Sequence, residues 1–103
     1  MAEFQTVAKV SDVPLGQMAV VTLGDEEIVI ANVDGRYFAF GNACPHEGGP
    51  LGEGELEGSA VTCPWHYTTF DVTTGNVIEG VTDDPVSTYD VRLVGEDIQI
   101  KKS

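Results

Sequence analysis

Turn signals recur at intervals of about ten residues along this chain, and that spacing leaves room for short strands and little else. Gly24-Asp25-Glu26, Asp34-Gly35 and Gly95-Glu96 each separate two runs rich in Val, Ile and aromatic residues. Asp34-Gly35 has the composition of a type I′ hairpin turn, in which both central residues take positive φ. The runs beside these turns are expected strands: Met18–Leu23, Glu27–Val33, Arg36–Phe40, Tyr89–Val94 and Asp97–Lys101. Val91 alternates with Leu93, and Ile98 with Ile100, the period-2 pattern of half-buried strands. No window carries a convincing amphipathic helix, and 12 glycines and 5 prolines in 103 residues oppose one. The expected fold is all-β, an antiparallel sandwich or small barrel. At 103 residues with 42% apolar content, the chain is expected to be one domain spanning 1–103, without repeat or linker.

Residues 41–84 depart from that rhythm. They are dense in Gly, Pro and acids, with strand candidates only at Ala60–Thr62, Thr69–Val72 and Asn76–Ile78. This stretch reads as a loop-rich lobe inserted in a regular β base, and long loops in compact domains usually carry function.

Charge narrows the partners. The chain has 17 acidic and 5 basic residues, a formal net charge of −12. Such a surface repels nucleic acid and anionic membranes and favours basic patches on a partner protein. Between Arg36 and Arg92 there is no Lys or Arg, but there are Glu47, Glu53, Glu55, Glu57, Asp71, Glu79, Asp83, Asp84 and Asp90. Scattered acids usually make a solvated face. Here the acid-only stretch also contains every Cys and His, so a docking surface is the better reading. The N-terminus lacks a basic segment followed by an apolar core, and no apolar run approaches the roughly 20 residues of a membrane helix. The expected location is the cytoplasm, with no membrane association and a monomeric state.

The lobe contains two mixed pairs, Cys44-Pro45-His46 and Cys63-Pro64-Trp65-His66, which together use both cysteines and both histidines of the chain. Three readings compete. Two core cysteines with two surface histidines would leave the pairing a coincidence. A Cys₂His₂ zinc site would make an interaction module, but zinc knuckles favour C-x₂₋₄-C and H-x₃₋₅-H, joining like with like. A [2Fe–2S] centre with Cys on one iron and His on the other needs each loop to reach both irons, which a mixed pair allows. Spacing favours the third.

The surrounding residues resemble one family. Cys44-Pro45-His46-Glu47-Gly48-Gly49-Pro50-Leu51-Gly52 and Cys63-Pro64-Trp65-His66, followed by Phe70-Asp71 and Thr74-Gly75, are similar to the two cluster-binding loops of Rieske proteins. The resemblance implies one Rieske [2Fe–2S] cluster, with Cys44 and Cys63 on the inner iron and His46 and His66 on the outer iron. It further implies that Gly48, Gly49 and Gly52 let backbone N–H groups approach the sulfurs, that Pro45, Pro50 and Pro64 stiffen the loops, and that Leu51 shields the cluster. Trp65 either shields it as well or packs between loop and base. Many members of the family carry Gly directly after the second His, where this chain has Tyr67.

High-potential respiratory members hold two further cysteines that this chain lacks. High-potential relatives also donate hydroxyls to cluster sulfurs from positions that correspond here to Thr68 and Phe70, and Phe70 has none to give. A reduction potential near the low end of the Rieske range is therefore expected. A terminal oxygenase needs further histidines for a mononuclear iron, and no nucleotide fingerprint is present. The resemblance thus implies a one-electron carrier rather than an enzyme. Its partners would be a ferredoxin reductase and a terminal oxygenase of the aromatic-ring-hydroxylating type, both with basic docking surfaces. The alternatives are a Rieske small subunit of another redox enzyme, such as a nitrite-reductase-like system, and the zinc module.

Overall fold

The computed structural model describes residues 4–43, 49–65, 67–80 and 84–102. Among the described residues ten strands follow one another: β1 (Gln5–Lys9), β2 (Met18–Leu23), β3 (Glu26–Val33), β4 (Arg36–Gly41), β5 (Glu55–Glu57), β6 (Ala60–Thr62), β7 (Thr69–Asp71), β8 (Val77–Glu79), β9 (Thr88–Val94) and β10 (Asp97–Lys102). Among the described residues the only helical turns are two short 3₁₀ segments, Val10–Asp12 and Leu51–Glu53. The all-β expectation holds, and every anticipated strand is present to within a residue or two.

The strands form two antiparallel sheets. The base is six-stranded in the order β1-β10-β9-β4-β3-β2, and the lobe is four-stranded in the order β5-β6-β7-β8. The lobe sheet is continuous in sequence and lies between β4 and β9, as an inserted unit would.

Local turn chemistry sets the hairpins. Asp34 and Gly35 take φ 54° and 88°, the paired positive values of a type I′ turn, and align Val33 with Arg36. Gly24 and Gly95 take φ 63° and 61° as the first residues of two-residue turns joining β2 to β3 and β9 to β10.

The central strand β3 explains how lobe and base share one framework. Its run Ile28-Val29-Ile30-Ala31 is buried throughout, with successive side chains on opposite faces. Ile28 and Ile30 join Val13, Ala39, Ile98 and Ile100 in the core of the base. Val29 and Ala31 join Phe40, Leu51, Val61, Cys63, Phe70, Val72 and Val86 in the core beneath the lobe. Strand β4 divides likewise, with Ala39 on one side and Phe40 on the other. A continuous apolar run on β3 is thus required, because both faces meet protein.

One expected alternation is weaker than its pattern. Ile98 and Ile100 are fully buried, but Leu93, opposite Ile98 near the end of β9, is 49% exposed. There the sheet edge approaches the Gly95 turn and nothing covers the outer part of the side chain.

Candidate metal centre

Two loops carry the anticipated ligands, and each is closed at its neck. The first leaves β4 at Asn42 and returns at Leu51. Ala43 and Pro50 form an isolated antiparallel bridge, and Leu51 N–H donates to Asn42 O at 2.8 Å. The buried Asn42 side chain tightens this neck: its Oδ1 accepts from Gly52 N–H at 2.8 Å, and its Nδ2 donates to Glu27 Oε1 at 3.3 Å. The second loop spans Cys63 to Thr68 within the β6–β7 hairpin. Cys63 N–H donates to Thr68 O at 2.8 Å, and Tyr67 N–H to Cys63 O at 2.9 Å. Below it Thr62 pairs with Thr69, their hydroxyls 3.2 Å apart.

The two necks bring the loops into contact. A Cβ added to Gly49, at the end of the first loop, would stand 2.8 Å from Cys63 Sγ and 3.1 Å from the Trp65 ring. Only a residue without a side chain fits there. Cys63 is fully buried, is not in a disulfide, and lies in the core beneath the lobe with Leu51 and Phe70. Of the four anticipated ligands, Cys63 is the one described; Cys44, His46 and His66 lie outside the described residues, as do Pro45, Glu47, Gly48 and Asp83. Among the described residues no three His, Cys, Asp or Glu side chains converge to hold a metal.

Several supporting roles can be placed. Leu51 is fully buried in the same core as Cys63 and Phe70. Trp65 rests its ring near Gly49 yet is 59% exposed, so it packs on the first loop with one side open. Gly52 departs from expectation: its N–H goes to Asn42 Oδ1, so it braces the neck of the loop. Gly49 takes no positive φ, and its role is close approach to Cys63. Thr68 is fully buried, and its Oγ1 and Cγ2 lie 2.5 and 2.6 Å from the point where a Cβ of Gly80 would stand, so its side chain packs against Gly80. Phe70 is fully buried between Val61 and Val77 across the lobe sheet. Tyr67 takes φ 61°, the conformation that glycine adopts without cost, so the tyrosine preserves the backbone path that a glycine would follow.

Asn42 and the Ala43–Pro50 bridge were not singled out in the sequence. The only local signal was an Asn at the exit of a strand, and its partners Gly52 and Glu27 lie ten and fifteen residues away.

Acidic residues surround the lobe. A cleft of about 690 Å³ runs beside Trp65, Pro50 and Ala43, with Asp25, Glu26 and Glu27 on its wall. Tyr89, at its edge, donates to Glu26 Oε2 at 2.8 Å. Partial burial, then the hydrogen bond to Glu26 and the carboxylate's charge, push the Tyr89 phenol up to about 12. A smaller cleft of about 270 Å³ lies beside Tyr67, lined also by Glu53, Gly54, Glu55, Thr62, Cys63 and Pro64. Asp71 turns inward to its own loop, accepting from the Thr73 N–H and hydroxyl, and Asp90 lies 3.9 Å from Lys101.

The described residues form a two-sheet β domain whose inserted lobe seats a glycine of one loop against the buried cysteine of another. Residues 3–90 match the Rieske [2Fe-2S] domain family, and the chain belongs to it. The Rieske cluster is the group this family implies. Cys63 fits it by its chemistry: a buried thiol outside any disulfide, a soft donor of the kind an iron–sulfur cluster takes, approached by the backbone of Gly49 so closely that a methyl there would clash with Sγ.

Two curated relatives differ in extent. Apoptosis-inducing factor 3 of Mus musculus is 35% identical over 95% of this chain, but the chain spans only 16% of that protein. The biphenyl dioxygenase ferredoxin subunit of Pseudomonas sp. (strain KKS102) is 34% identical over 94% of this chain and is itself covered over 90% of its length. Among solved structures, Sphingomonas yanoikuyae B1 ferredoxin superposes with a TM-score of 0.91 at 26% identity, covering 98% of this chain and 100% of that one. No helix among the described residues is long and apolar enough to cross a membrane.

Proposed function

We propose that this chain is a low-potential one-electron carrier whose cluster is held by Cys44 and Cys63 on one iron and His46 and His66 on the other. The observation that carries this reading is the seating of Gly49 on Cys63, which joins the two mixed Cys/His loops at one point. When bound, a Rieske cluster accepts and releases a single electron. The chain's own residues then hold it: Cys63 from a buried, hydrogen-bonded neck, Leu51 by excluding water, and the Asn42 latch by fixing the first loop.

The near-complete match in length to a dioxygenase ferredoxin subunit supports a free-standing carrier. Its partners are then a ferredoxin reductase and a ring-hydroxylating terminal oxygenase, each docking through a basic face. The acid-only stretch favours that choice. A second reading, a redox module of a larger protein, has the similarity to apoptosis-inducing factor 3 in its favour.

Purified chain is expected to contain two irons and two sulfides and, once reduced, to give a rhombic EPR signal. His66→Ala and Cys63→Ala should each lose the visible spectrum and the iron. A zinc-loaded, colourless protein, or a His66→Ala variant with full iron content, would refute the assignment. Co-purification with a reductase and an oxygenase, as separate chains, decides between carrier and module.

A further inference from the structure

Tyr67 is a residue whose placement the fold itself does not repay. Its φ of 61° lies in the left-handed region, which crowds the Cβ of an L-residue and which glycine occupies freely. Its side chain is 74% exposed, so little of the ring is buried in return, and its hydroxyl makes no hydrogen bond among the described residues. Strain held at an exposed aromatic points to a use outside the chain.

The surroundings define what would use it. Tyr67 forms one wall of the cleft of about 270 Å³ that also contains Glu53, Glu55 and Cys63. Both glutamates are exposed, and neither carboxylate makes a hydrogen bond or ion pair among the described residues. The nearest Lys or Arg in sequence are Arg36 and Arg92. An aromatic face beside two free carboxylates suits a guanidinium or ammonium group, which stacks on the ring and pairs with the acids. Cys63, lining the same cleft, places this feature against the metal loops.

We infer that Tyr67 is a docking anchor for the protein with which the chain exchanges electrons, and that this partner offers an apolar contact bordered by arginine or lysine. Tyrosine suits the role because it supplies a large, rigid contact area and is enriched among the residues that dominate interface energies. The inference rests on the electron-carrier reading.

Cytochrome c is a suitable probe, being a basic protein whose exposed haem edge is ringed by lysines. Reduced holoprotein is mixed with oxidised cytochrome c at low ionic strength and, separately, with ferricyanide, a small acceptor that needs no docking face. Tyr67→Gly keeps the backbone conformation and removes the ring, whereas Tyr67→Phe keeps the ring. Leu15→Ala removes an exposed apolar side chain far along β3 from the lobe neck, where Gly16 bonds to Asn32, and serves as control.

Tyr67→Gly should slow the bimolecular reaction with cytochrome c about tenfold, with Tyr67→Phe and Leu15→Ala close to wild type. The ferricyanide rate and the reduction potential should be unchanged in all three. A Tyr67→Gly rate with cytochrome c equal to wild type would overturn the inference. So would an equal slowing with ferricyanide or a shifted potential, since the ring would then act on the cluster's surroundings. Wild-type protein unable to reduce ferricyanide would refute the carrier reading itself, and the inference with it.

Discussion

Replacing Tyr67 by glycine and by alanine in parallel isolates the backbone term at the second loop. Both variants remove the same ring, so any packing lost from its buried quarter cancels in the comparison. What remains is conformational. An L-residue in the left-handed region costs about 1–2 kcal/mol, and alanine keeps that cost while glycine sheds it. Glycine in turn loses about 0.4–1 kcal/mol more than alanine through the greater freedom of the unfolded chain. With φ at 61°, the first term wins, and Tyr67→Gly should be the more stable by about 0.5–1 kcal/mol. That reverses the ordinary order, in which alanine is favoured. For a domain of this size 1 kcal/mol moves the melting temperature by about 4–8 °C, well within measurement. Urea titration followed by far-UV circular dichroism reads global unfolding. Trp65, the single tryptophan, reports the lobe by fluorescence. If Tyr67→Ala equals or exceeds Tyr67→Gly in both, the left-handed backbone at this position is refuted.

Gly49→Ala forces a methyl to within 2.8 Å of Cys63 Sγ, so the loops must part; iron per chain should fall sharply, at a cost of about 1–3 kcal/mol in stability, and full iron content would contradict the close approach. Tyr89, with its phenol raised to about 12, keeps its proton in the folded state where the unfolded chain has lost it. Stability should therefore fall between about pH 10 and 12, and the wild-type slope should flatten in Tyr89→Phe. A rise from 10 to about 12 corresponds to about 2.7 kcal/mol, which solvent screening at this partly buried group reduces to about 1 kcal/mol. Phe70→Tyr places a hydroxyl in the buried core that holds Cys63; if it reaches a cluster sulfur, voltammetry should show the potential rising by some tens of millivolts, 59 mV corresponding to about 1.4 kcal/mol for one electron.

The β framework was legible because its turns are local. Asp34-Gly35 specifies a type I′ hairpin whatever lies elsewhere, and the strands on either side follow from it. The strands missed carry no strand pattern of their own and are revealed only by their partners. Gln5–Lys9 is a strand because Gln5 lies opposite Ile100, nearly the whole chain away, and Glu55–Glu57 because Glu55 lies opposite Thr62. Glu55-Leu56-Glu57 reads as a solvated loop until that pairing supplies its hydrogen bonds. Similarly, Ile28 to Ala31 reveals a buried strand, but periodicity cannot assign its two faces to two different cores.

The same division runs through the metal centre. Ligand chemistry is written in residue types, so the two mixed Cys/His pairs could be read directly from the chain. The mechanics that set Gly49 against Cys63 are contacts between residues remote in sequence. Gly49 reads as one glycine among several until Cys63 Sγ is found where its side chain would be. Asn42 reads as a polar residue ending a strand until it is found to hold the loop neck through Gly52. Both contacts depend on β3 and β4 being buried on both faces, because that shared wall carries Phe40 and Val29 into the core that seats Cys63. Tyr67 is the informative exception. It breaks the loop's local preference for glycine without gaining a packed ring, so neither the local rule nor the folded core explains it, and the reason for its presence has to be sought in what the lobe touches.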